Sequence, residues 1–250
     1  MQGAIPQLNL RRAVHARADG HPPGERNFLG RQRGFANNGR HDIGKYLMDG
    51  NHIEEDSIGR VRLVLASASP RRADVLRAAA IEFDVIPADV DESRQPDEWP
   101  DVYVARLAEA KAAAVLDRAA GRPVLAADTI VVCGTEILGK PSDAADAKRM
   151  LELLSGRTHR VLTGVCLIAG PGASRHADVA STAVEFAPLT DEEIGWYVSS
   201  GESLDKAGAY AIQGLASRFV TAISGSYTNV VGLPVAVVYN LCKNAGILIS

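Results

Sequence analysis

Residues Arg62–Leu76 read RLVLASASPRRADVL, an apolar run that gives way to hydroxyls and turns at a proline. Leu63–Ala66 has the character of a short buried strand. It stops at Ser67-Ala68-Ser69, and Pro70 opens a segment with helical spacing through Val75, Leu76, Ala79 and Ala80. Ser69 suits an N-cap, because its hydroxyl can accept from first-turn amides. Pro70 suits the first helical position, where no N–H partner is needed. Arg71 and Arg72 follow at once. A strand that feeds a capped helix N-terminus, with free amides, two hydroxyls and two guanidiniums, is a place to hold an anion. The plainer alternative is an ordinary helix start with surface arginines in its first turn.

Working outward, the chain has 250 residues, enough for one large domain or two small ones. Its 46% hydrophobic and 23% charged content is that of a soluble globular protein. A net charge of −3 argues against binding of nucleic-acid polymers, yet leaves room for a local anion site. Three cysteines without paired spacing (Cys133, Cys166 and Cys242) read as reduced thiols. No apolar run reaches the ~20 residues that cross a bilayer, and no signal-peptide core precedes the first strand. A soluble cytoplasmic protein is expected.

Residues 1–60 differ from the rest of the chain. HPPGERN, GRQRG and ANNGRHD are rich in Gly, Asn, Arg and Pro, and four of the six histidines lie here without metal-ligand spacing. A flexible extension outside the fold is expected. A tag remnant, an upstream start codon or an Arg-rich transit peptide are the alternatives, the last disfavoured by Asp19, Glu25 and Asp42. Residues 61–250 then form the folded domain, with 18 basic and 23 acidic side chains.

From Val61 onward strands and helices alternate. Phe83–Pro87 reads as a second strand, and an acidic turn, ADVDES, follows it. WPDVYVARLAEAKAAAVLDRAAG predicts a long helix, with Val102, Leu107, Ala110 and Ala114 on one side and Gly121 at its end. PVLAADTIVVCG is a buried strand with a lone acid, and Gly134-Thr135 turns it into EIL. SDAADAKRMLELLSG predicts a helix capped by Ser142. HRVLTGVCLIA and DVASTAVEFAPL are strands, and Thr190 with Glu193 makes a capping box. SRFVTAISG is strand-like, and a helix from Pro234 to Ala245 closes the chain. The order predicts an α/β fold with a mixed sheet.

Asp128 stands out because a carboxylate inside VLAADTIVV is costly to bury unless paired, metal-bound or catalytic. The alternative is a strand-end Asp that caps a loop. Thr129 next to it places a hydroxyl on the opposite strand face. Lys140 in GKPSD precedes a helix N-terminus, and Lys111 lies in an alanine run; either alone could be a solvated charge. Asp91 and Glu92 suit a divalent cation or a solvated turn. Gly208, Gln213 and Gly214 in DKAGAYAIQG form a loop where backbone can approach a ligand and an amide can read a base edge. No P-loop, dinucleotide-binding fingerprint or nucleophile elbow is present.

SASPRR, VDES, RLAEAKA, AADTIV, ILGKP, SGRTHRVLTG, SGESLDKAGAYAIQG and GSYTNVVGLP occur in the order seen in Maf proteins. The chain resembles that family from about Arg62 to Gly246. Maf proteins were named for septum formation and act as nucleoside triphosphate pyrophosphatases. The resemblance implies a two-lobed Maf/ITPase-like fold with a deep central cleft, a Mg²⁺ or Mn²⁺ cofactor and a homodimer. It implies Asp128 as the proton acceptor, Ser67, Arg71, Lys111 and Lys140 around the triphosphate, and Glu92 near the metal. At Arg72, Thr129 and Gln213 the chain resembles the subgroup that cleaves dTTP and UTP, and differs from the one acting on 7-methyl-GTP. A nucleotide-binding regulator of division that needs no turnover is the alternative from another class. A purine-triphosphate enzyme on a related fold is a third, disfavoured by Thr129 and Gln213.

Overall fold

The computed structural model describes residues 61–249 except Pro171 and Ala173. The extension expected over residues 1–60 lies outside the described residues. The first elements are β1 (Leu63–Leu65), α1 (Pro70–Ala78), β2 (Phe83–Val85), α2 (Pro100–Val115), β3 (Val124–Cys133) and β4 (Glu136–Leu138). They are followed by α3 (Ala144–Leu154), β5 (Thr158–Ile168), β6 (Arg175–Phe186), α4 (Asp191–Ser199), β7 (Val220–Ser224), α5 (Tyr227–Val231) and α6 (Val235–Asn244).

One seven-stranded mixed sheet carries the fold, in the order β2-β1-β3-β5-β6-β7, with β4 beside β3. The pairing of β3 creates the site. Along one edge β5 runs antiparallel to it from Val124 to Val132. The other edge is shared: β1 pairs with Val124 and Leu125, and β4 pairs with Val131 through Cys133. Between β1 and β4 the middle of β3 has no strand neighbour on that side among the described residues. Asp128 and Thr129 lie in this gap.

Strand alternation decides what each of them meets. Val124, Ala126, Ile130 and Val132 pack with residues of α2, including Val104, Ala108, Ala112 and Val115. Leu125 and Ala127 join a core with α1 and α6, while Val131 and Cys133 join another with α3 and α4. Asp128 therefore faces α2. Thr129 faces the other way, between these two cores.

Gly164 on β5 is the register partner of Asp128. A Cβ there would collide with the Val104 carbonyl and lie 2.8 Å from Ala105 N. Only hydrogen at this position lets the α2 backbone rest directly on the sheet, and two turns further along α2 stands Lys111.

Several local expectations need correction. The buried face of α2 is Val104, Leu107, Ala108, Lys111, Ala112 and Val115, while Val102 is exposed. Ser69 is at the α1 N-cap position but its hydroxyl caps nothing; its own N–H donates to Ser67 Oγ at 3.2 Å. Asp143, not Ser142, caps α3 by accepting from Asp146 N–H. Ser217–Phe219 belong to a 3₁₀ turn, so only Val220–Ser224 is strand. The capping box of α4 and the two-residue turn between β3 and β4 stand as read. No helix among the described residues is long and apolar enough to cross a membrane.

Candidate active site

Asp128 is almost wholly buried, and its Oδ1 accepts from Lys111 Nζ at 2.6 Å. The same ammonium lies 2.6 Å from Glu92 Oε1. A buried lysine on a helix of alanines is explained by this pair of carboxylates, since an unpaired ammonium would be expelled from such a position. Burial alone would raise the Glu92 carboxyl, but the hydrogen bond and charge of Lys111, with Lys140 and Arg72 beyond it, hold it below its ordinary value.

Glu92 belongs to a loop that is itself tied down. Tyr103 on α2 donates its hydroxyl to the Glu92 carbonyl at 2.7 Å. Arg106, one turn on, donates to both Glu98 carboxylate oxygens and to Ser93 O. Arg106 holds Glu98 down at about 2. The loop is thus fastened to the helix that carries Lys111.

On the other face of β3, Arg72 uses all three guanidinium nitrogens. It donates from Nε to Gly232 O at 2.9 Å, from Nη1 to Ser67 Oγ at 3.1 Å and from Nη2 to Thr129 Oγ1 at 3.1 Å. Burial lowers its pKa, while the Asp128 and Glu92 charges oppose that shift. Thr129 Oγ1 also meets Thr163 Oγ1 at 3.0 Å. One arginine so joins the end of β1, the gap in β3 and the turn after α5. Arg71 instead reaches across the opening to Asp205, 134 residues later, at 3.0 Å. Lys140 is exposed after β4 and forms no ion pair among the described residues.

Asp128, Ser67, Arg71, Lys111, Lys140, Arg72, Thr129, Gln213 and Glu92 all line a single cleft of about 500 Å³. Its described walls carry Arg71, Arg72, Lys111, Lys140 and Lys206 against Glu92, Asp128 and Asp205. The cleft is cationic within a chain of net charge −3, the arrangement that attracts a polyanion. A hydroxyl, several cations and one buried carboxylate around such a cavity can hold phosphates and accept a proton beside them.

Sequence reasoning missed Asp205, Tyr103 and the Glu98–Arg106 pair. The first lay within DKAGAY beside Lys206, with which it pairs, and nothing local pointed to Arg71. The glycines of that stretch were expected to let a ligand approach. Gly208 instead packs against the Val131 side chain and Gly214 against the Glu202 carboxylate.

Among the described residues no group of three His, Cys, Asp or Glu side chains can enclose a metal ion. Two carboxylates, Glu92 and Asp128, flank one ammonium position. That donor set fits Mg²⁺ or Mn²⁺, which bind through one or two carboxylates and complete their shell with water and phosphate oxygens.

The profile described as Maf-like protein matches residues 62–245. A protein named dTTP/UTP pyrophosphatase from Anaeromyxobacter sp. (strain Fw109-5) is 54% identical over 188 residues, covering 74% of this chain and 90% of that one. One of the same name from Koribacter versatilis is 51% identical over 186 residues, covering 74% and 95%. Among solved structures, a HAM1 protein from Coxiella burnetii aligns over 74% of this chain and 98% of that chain, with TM-score 0.41 and 16% identity.

Proposed function

The chain belongs to the Maf family, and from that premise we propose that it hydrolyses dTTP and UTP to the nucleoside monophosphate and pyrophosphate. One observation carries the reading: a buried carboxylate, Asp128, stands in the strand gap at the wall of a cationic cleft, with Oδ1 taken by Lys111.

In this reading the triphosphate lies along Ser67, Arg71 and Lys140, whose hydroxyl and positive charges balance the charge that grows on the phosphoryl oxygens and the leaving pyrophosphate. Arg71 exchanges its bond to Asp205 for a phosphate. Asp128 accepts a proton from water through Oδ2, which accepts no hydrogen bond from a described residue. The water oxygen attacks the α-phosphorus, the bond to the bridging oxygen breaks, and pyrophosphate leaves with that electron pair. Lys111, bonded to Oδ1, keeps the carboxylate of Asp128 oriented while the proton is taken.

Glu92, on the cleft wall near Asp128, would hold the divalent cation. When bound, such an ion neutralises phosphate charge and polarises the reacting phosphoryl group.

The Gln213 side chain offers an amide N–H donor and a carbonyl acceptor side by side, a match for O4 and N3–H of thymine or uracil. Arg72 and Thr129 act in selection by fixing the wall on which the nucleotide rests. A cytoplasmic homodimer completes the proposal, as the family resemblance implies.

The test is a product panel with purified protein and Mg²⁺ or Mn²⁺. Pyrophosphate should appear from dTTP and UTP faster than from ATP or 7-methyl-GTP. Release of orthophosphate would overturn the bond cleavage, and equal rates on all bases would overturn the selectivity. Tight nucleotide binding without turnover would favour the regulator reading instead.

A further inference from the structure

Gln213 is exposed, and its side chain bonds to no described residue. Its reach is therefore set by its backbone, and the backbone is held at two points. Ala211 N–H donates to Tyr197 Oη at 3.2 Å, and that hydroxyl donates to Glu202 Oε1 at 3.0 Å. The second carboxylate oxygen, Oε2, accepts from Leu215 N–H at 3.0 Å. Ala211 and Leu215 stand two residues before and two after Gln213. A single phenol–carboxylate pair so grips the loop on both sides of its reading residue.

The grip has firm footing. Tyr197 lies at 0% exposure on α4, in the core with Ile194 and Phe219. Burial pushes its phenol upward, so the proton it gives to Glu202 is retained through the neutral range. Glu202 N–H donates to Ser200 Oγ at 3.2 Å, and Lys206 Nζ donates to the Glu202 carbonyl at 2.6 Å. A Cβ on Gly214 would collide with the Glu202 carboxylate, so the glycine after Gln213 is what admits it. Gly214 N–H closes the turn onto Ala211 O at 3.2 Å.

We propose that Tyr197 and Glu202 are positioning residues for nucleotide selection, holding the Gln213 amide where it can pair with the pyrimidine edge. The proposal rests on the reading of Gln213 as the base-selecting residue. A flexible amide on a loose loop loses most of its discrimination to the entropy of being placed, whereas a pre-set backbone leaves only the side-chain rotamers to fix. Neither residue touches Asp128 or Lys111, so the effect falls on selection and not on the chemical step.

The experiment compares kcat/KM for dTTP with that for dATP in Tyr197→Phe, Glu202→Gln, Gln213→Ala and the double variant Tyr197→Phe/Gln213→Ala. The dTTP/dATP ratio should fall about ten-fold in each single variant, with the change for dTTP in KM more than in kcat. The double variant should lose no more than Gln213→Ala alone, because both changes remove one function. Tyr197→Phe keeps the ring in its core, and Glu202→Gln tests the same grip from the surface should the first fail to fold. If Gln213→Ala leaves the ratio unchanged, the reading of Gln213 falls and the proposal with it. If Gln213→Ala lowers the ratio while Tyr197→Phe and Glu202→Gln retain it, the proposal alone is overturned. A drop in kcat equal for both nucleotides would mark the pair as merely structural and also overturn it.

Discussion

Lys111 Nζ lies 2.6 Å from Asp128 Oδ1, and each side chain is only 10% exposed. Glu92 Oε1 takes the same ammonium from the other side. Removing the lysine leaves a buried carboxylate without its hydrogen-bonded counter-charge, which costs on the order of 3–5 kcal/mol. Lys111→Met should lose about that much stability in urea denaturation, and adding Asp128→Asn should recover a large part of it. Equal stability of Lys111→Met and the parent would show that the pair is not coupled.

Asp128→Asn alone keeps the shape of the strand gap but removes the proton acceptor. Turnover should fall below detection while dTTP still binds, measured by calorimetry. Retained turnover would take Asp128 out of its role.

The contact between α2 and β5 gives a prediction far from any charged group. Gly164→Ala drives a methyl group into the Val104 carbonyl. The helix must shift, carrying Lys111 with it. A loss of about 1–3 kcal/mol is expected from such overpacking, accompanied by a drop in kcat. A stable variant with full kcat would mean that α2 tolerates displacement and that its seating is not what places Lys111.

Acid should weaken the fold in two steps. His159 is buried with Nε2 2.8 Å from Tyr210 Oη, and burial pushes its pKa down to about 4 from an ordinary 6.5. Its neutral form stabilises the fold fully above the higher value, and that contribution is lost as pH falls from 6.5 towards 4. Glu98, held at about 2 by Arg106 against an ordinary 4.5, contributes above 4.5 and is lost as pH falls from 4.5 to 2. Tm measured against pH should therefore decline through both windows. His159→Gln should flatten the upper limb and Glu98→Gln the lower. A Tm profile of the parent that stays level between pH 6.5 and 4 contradicts the assignment of His159.

The family match begins at residue 62, and no residue assigned to the site precedes Ser67. Deletion of residues 1–60 should leave dTTP hydrolysis unchanged in a rate assay. Loss of folding on deletion would show that the extension belongs to the domain.

Much of the site was legible in the residues because period-two alternation in β3 is strong. Placing Asp128 and Thr129 on opposite faces needed nothing but the strand. The register of α2 was not legible, since nine of its sixteen residues from Pro100 to Val115 are Ala or Val. An apolar stripe cannot be chosen among so many small apolar positions, and the one that decides it, Lys111, counts as polar until its carboxylate partners are known. Caps failed where two capping residues adjoin, as at Ser142 and Asp143. The Arg71–Asp205 bond and the Tyr197–Glu202 grip join residues through the fold, and no local pattern announces them. What joined the site residues in advance was the order of motifs, not the chemistry of any single one.

Attack of water on the α-phosphorus can be followed by hydrolysing dTTP in ¹⁸O-enriched water with Mg²⁺ and weighing both products. One ¹⁸O atom is expected in dTMP and none in pyrophosphate. Label in pyrophosphate, or release of labelled orthophosphate, would contradict it.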